Sequence, residues 1–124
     1  MKMYEILELP SLYNSIKDAK LPLKTTYKFA RLMRRVEEEL NFYQTKFSEI
    51  VKEYGVTENG QLKISPDGNS IAIIPGKENE CNMKIQELRN LEVEISGITF
   101  TIEELAGLDI SISEMASLMS LIEE

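Results

Sequence analysis

Lys24, Lys28, Arg31 and Arg35 recur at intervals of four, three and four, with Arg34 beside them. On a helix that spacing gathers the cations on one face. Such a face can meet an acidic protein surface or a phosphate backbone. It can equally pair with carboxylates of its own chain or stand solvated. The stripe falls near the start of the helix that carries it, where the macrodipole disfavours positive charge, and Glu37, Glu38 and Glu39 follow it. That order is the reverse of the one that steadies an isolated helix.

The remaining chemistry-bearing residues point away from catalysis. The chain has no histidine, and so lacks the commonest general acid or base, the commonest transition-metal ligand and every histidine-activated nucleophile. Cys81 is the single cysteine, which rules out an internal disulfide or a thiolate metal cage. Its neighbours Glu78 and Glu80 raise a thiol pKa, so it reads as a packing residue. Glu37, Glu38 and Glu39 cannot converge, because adjacent helical side chains diverge by about 100°. Asp67-Gly68-Asn69 matches a fragment of a calcium loop without the closing glutamate. The six glycines are scattered as turn and cap residues. The reading is therefore of a non-enzyme with no catalytic residue, no metal site and no cofactor.

Charge is unevenly spread over the 124 residues. Residues 1–54 carry ten Lys/Arg against eight Asp/Glu, and residues 55–124 carry four against thirteen. The net −7 thus hides a locally basic half joined to a strongly acidic one. Apolar runs stay short, as at Ile71-Ala72-Ile73-Ile74, far below the roughly 20 residues that span a bilayer. The opening residues lack the apolar core of a secretory signal. A single domain, 1–124, cytoplasmic and without membrane contact, is the expectation.

The elements that must position these groups can be traced in turn. Residues 3–9 suggest a short strand or extended lead-in. Pro10 suits a first helical turn, with Leu12, Tyr13 and Ile16 carrying a helix to about Lys20. Leu23–Tyr54 contains no Gly or Pro and stops at Gly55, which predicts a helix of some 48 Å at 1.5 Å per residue. Phe29, Met33, Val36, Leu40, Tyr43, Phe47, Ile50 and Tyr54 step along it by three or four. From Val36 to Tyr54 they form a heptad seam, closed either within the monomer or between two protomers. Asn59-Gly60 signals a turn, and 61–65 and 70–74 flank Pro66-Asp67-Gly68-Asn69 as a β-hairpin would. A second helix is expected over 77 to about 92, with Cys81, Ile85, Leu88 and Leu91 on one side. Residues 94–102 suggest a strand interrupted by Gly97, and 103–108 a short turn or helix. Ser113 suits the N-cap of a last helix bearing Met115, Leu118, Met119 and Ile122. The expected class is α+β: a long antiparallel helical hairpin with a β-hairpin at its tip, small strands and a short C-terminal helix.

Leu9-Pro10-Ser11-Leu12-Tyr13-Asn14, the long Lys/Glu-rich helix, the stretch from Glu53 to Leu62 and the tail segments Thr101 to Leu105 and Leu121 to Glu123 belong together in one further respect. In this succession the chain resembles short proteins of unknown function from tailed phages and prophages of Gram-positive bacteria. The resemblance implies a phage setting, in the host cytoplasm or on the virion, and assigns no functional residue. The expected function is protein–protein binding, in virion or tail assembly or in inhibiting a host or defence protein. The partner is a protein, with a homodimer through the long helix as one form. The alternative is a nucleic-acid binder using the basic face, or an acidic nucleic-acid mimic that blocks a host nuclease such as a CRISPR effector.

Overall fold

The structure, a computed structural model, describes residues 1–64, 71–95 and 97–123. Its helices are α1 (Met3–Ile6), α2 (Leu9–Ile16), α3 (Leu23–Tyr54), α4 (Glu78–Arg89) and α5 (Ile112–Leu118). Strands β1 (Thr57–Glu58) and β2 (Gln61–Leu62) pair antiparallel, and 3₁₀ turns cover Glu103–Leu105 and Met119–Leu121. The class is thus mixed, with a long helix that packs against other elements and a small two-stranded sheet. The chain divides into two compact units, Met1–Leu40 with Glu92–Glu124, and Asn41–Leu91.

In the first unit the lead-in is a helix, not a strand. Met3, Ile6, Leu9 and Leu12 step by three and are all buried, so one helical stripe serves α1 and α2. Glu5 closes the first turn by accepting a hydrogen bond from the Lys2 N–H at 2.9 Å. Pro10 sits at the start of α2, as expected, but that helix ends at Ile16 rather than near Lys20. The first half of α3 contributes Phe29, Leu32 and Val36 to the core. Leu32 is nearly inaccessible while Met33, picked out by the three- and four-residue stepping, is only half-buried.

Among the described residues of 94–102 no strand forms. Gly97 takes φ +74° and breaks the extended run, and Phe100 makes a single parallel bridge to Ile122. Its N–H donates to Leu121 O at 2.8 Å, and Glu123 N–H donates to its carbonyl at 2.7 Å. The side-chain alternation nevertheless holds locally, since Ile98 and Phe100 are buried and Thr99 is exposed between them. Phe100 is fully inaccessible and stacks at a tilt on Phe29, ring centroids 4.5 Å apart, a geometry worth about 0.5–1.5 kcal/mol beyond burial. The expected N-cap also moves: Ser111, not Ser113, caps α5. Ser111 Oγ accepts from Glu114 N at 3.1 Å while Glu114 Oε1 accepts from Ser111 N at 3.2 Å. This is a reciprocal capping box, which requires Glu three residues after the cap and so selects position 111.

In the second unit Asn59 and Gly60 have φ 53° and 78°, the positive pair that a two-residue hairpin turn demands, and β1 and β2 flank them. Further pairing is sparse but closed. Val56 N–H donates to Ala72 O, Ala72 N–H to Lys63 O, and Lys63 N–H to Val56 O, each at 2.8 Å. Isolated antiparallel bridges, Gly55 to Ile73 and Ile64 to Ile71, complete the pattern. Among the described residues the expected hairpin over 61–65 and 70–74 is represented by the Ile64–Ile71 bridge. Its turn, Pro66 to Asn69, lies outside the described residues. Gly55 ends α3 where a Cβ would meet Val51 O at 2.6 Å and Leu62 Cδ2 at 2.7 Å. Helix α4 is shorter at both ends than expected, and buries Cys81 and Leu88 while Leu91, beyond its end, is exposed.

Candidate functional site: the cationic face of the long helix

The five cations do not act as one stripe. Lys28 turns inward: its ammonium lies 2.8 Å from Glu104 Oε1 and 2.8 Å from Thr99 O, and 5.7 Å from the Phe100 ring centroid. Arg35 is engaged by its own helix, by Glu39 and by Glu38 at 3.5 Å. Arg31 lies with its guanidinium 5.8 Å from the Tyr27 ring centroid, a cation–π arrangement. Lys24 and Arg34 meet no ion-pair partner among the described residues.

Glu104 is placed by a local signal. Thr101 and Glu104 form a capping box over the 3₁₀ turn, with Thr101 N–H donating to Glu104 Oε1 at 3.1 Å and Glu104 N–H to Thr101 Oγ1 at 3.2 Å. The hydrogen bond from Lys28 and then that from the Thr101 N–H hold its carboxyl below the usual range, against the opposing effect of burial. Its Oε2 is buried without a hydrogen-bond partner among the described residues. Sequence reasoning missed this clamp, although Thr101-Ile102-Glu103-Glu104 carries the cap pattern openly.

With Lys28 and Arg35 satisfied, the accessible cations are Lys24, Arg31 and Arg34. Arg31, Arg34 and Arg35 line a groove of about 450 Å³, together with Tyr27, Ala30 and Glu38 of α3 and with Glu94, Ile95 and Ile98 opposite. One wall is cationic, the other largely apolar, with Glu38 and Glu94 on the lining.

The seam residues are likewise divided. Val36 is fully buried in the first unit and Leu40 is half-buried there. In the second unit Tyr54 is buried, Tyr43 and Ile50 are half-buried, and Phe47 is exposed. Tyr43 and Phe47 stack with centroids 5.8 Å apart, and Lys46 sits 5.9 Å from the ring of the exposed Phe42. Burial, followed by the charges of Glu53, Glu80, Cys81 and Glu87, pushes the Tyr54 hydroxyl pKa up. Burial likewise raises the Cys81 thiol, which makes it a poor nucleophile. Met119 of the expected C-terminal face is largely exposed, and Leu118 is its buried member.

Among the described residues no group of three His, Cys, Asp or Glu side chains is placed to hold a metal ion, and no helix is long and apolar enough to cross a membrane. The chain matches no protein-family model, no curated protein and no solved structure.

Proposed function

We propose that this protein is a non-enzymatic accessory protein, of the phage or prophage kind it resembles, that works by binding another protein. One observation carries the reading: the imbalance of the second unit. Among its described residues only Tyr54, Cys81 and Leu88 are buried apolar side chains, whereas the large Phe42, Phe47, Ile64, Ile74, Met83 and Leu91 are exposed. The first unit buries fourteen such side chains among its described residues. A segment of that size needs more apolar burial to offset its chain entropy, and a partner face supplies it. Residues 41–91 hold six Lys/Arg against seven Asp/Glu, so the surface suits an apolar protein face rather than a polyanion. The same reading takes α3 and α4 as limbs of a helical hairpin with the small sheet at its tip. The burial of Tyr54, and the effect on it of Glu80, Cys81 and Glu87 from α4, support it.

The nucleic-acid alternative rests on fewer cations than the stripe offers, because Lys28 and Arg35 are paired within the chain. Light scattering together with affinity purification from expressing cells tests the leading reading. A doubled mass puts a second copy on the face. A monomer whose captured partner is lost in a Phe42→Gln/Phe47→Gln variant puts another protein there. A monomer that retrieves nothing reproducibly overturns the reading.

A further inference from the structure

We infer that the groove lined by Arg31 and Arg34 in the first unit is a recognition site for a short acidic peptide segment that carries an apolar side chain beside its carboxylates. The site is independent of the apolar face in the second unit. Arg31 and Arg34 lie one helical turn apart, and neither has an ion-pair or hydrogen-bond acceptor among the described residues. Arg31 is held by Tyr27, itself 61% exposed, so its fork is oriented without being consumed. Paired forks of this kind match carboxylates bidentately, which a lysine at the same place would not do. Arg35 stays with Glu38 and Glu39 and braces the row rather than binding.

The opposite wall decides the class of ligand. Ile95 is half-buried and Ile98 buried, and beside Glu94 they give the groove of about 450 Å³ an apolar side. A carboxylate directed at Arg31 and Arg34 therefore leaves an adjoining aliphatic side chain room against Ile95, with the buried Ile98 behind it. Of the two carboxylates on the lining, Glu38 is paired with Arg35. A nucleic acid fits less well. A continuous phosphate chain needs a longer row of cations, and on the described lining only Arg31 and Arg34 are unpaired, Arg35 being held by Glu38 and Glu39.

The test uses the intact chain and three labelled probes: a short peptide of glutamates around a central pair of leucines, its glutamine counterpart, and a short oligothymidylate. Fluorescence anisotropy is expected to show saturable binding of the glutamate peptide that weakens with salt, and binding of the glutamine peptide about tenfold weaker or less. Arg31→Gln/Arg34→Gln lowers affinity about tenfold, while Lys52→Gln, an exposed cation of the other unit, leaves it unchanged. Matching thermal melts show that the variants fold. No saturable binding of the glutamate peptide up to about 1 mM overturns the proposal. So does equal binding of the glutamine peptide, an unaffected double variant, or tighter binding of the oligothymidylate.

Discussion

Lys28 and Arg34 carry the same charge on the same helix, yet their surroundings separate them entirely. Lys28 is clamped by Glu104, Thr99 and the Phe100 face, while Arg34 lines an open groove. Spacing along α3 could place both on one side but could not see Glu104, which lies 76 residues away in the chain. The clamp has a pH signature. Because the folded Glu104 carboxyl titrates below its ordinary value, its contribution to stability is complete above the usual carboxylate range and is lost as pH falls through the lowered pKa. Glu5, held down chiefly by the Lys2 N–H, and Glu114, held down chiefly by Ser15, act in the same direction. Glu104→Gln should therefore melt below the parent at neutral pH, and the gap should close in melts taken below the carboxylate range. A gap independent of pH would show that the pair contributes shape alone.

At the scale of elements, the strongest signals came from what a stretch lacks. Leu23–Tyr54 has no Gly or Pro, and the helix occupies those bounds because nothing in them interrupts its hydrogen bonds. Short elements were harder to read, since four residues of α1 cannot display a period, and its stripe becomes visible only when joined to α2. The last helix turned on its cap. Urea melts should show Ser111→Ala losing about 1 kcal/mol, and Ser113→Ala staying within about 0.5 kcal/mol. Equal losses would return the cap to position 113. Gly55 is the stop for α3 by close approach rather than by positive φ. Gly55→Ala should cost about 1–3 kcal/mol by crowding Val51 O and Leu62, read as a lower denaturation midpoint. A neutral result would mean that the backbone there gives way freely.

For the molecule as a whole, the uneven burial of the two units predicts uneven local stability. Amide exchange over 43–52 and 81–88 should be faster than over 29–36 and at Phe100, because so few large side chains are buried in the second unit. Uniform protection would contradict the sparse burial in the second unit on which the binding reading stands. Added partner should slow exchange in the second unit first, since the face it covers is there. The sequence by itself determined the long helix and its Gly55 stop, the Asn59-Gly60 turn, and a chemistry without histidine or paired thiols. Those follow from residue type and local backbone preference. Which cations remain free, which apolar positions stay open, and that Phe100 pairs with Ile122 were decided by the tertiary structure. The physical reason is that each depends on a partner distant in sequence: Glu104 for Lys28, Phe29 and the Leu121 carbonyl for Phe100. No periodicity along α3 encodes the carboxylate that reaches it from the far end of the chain.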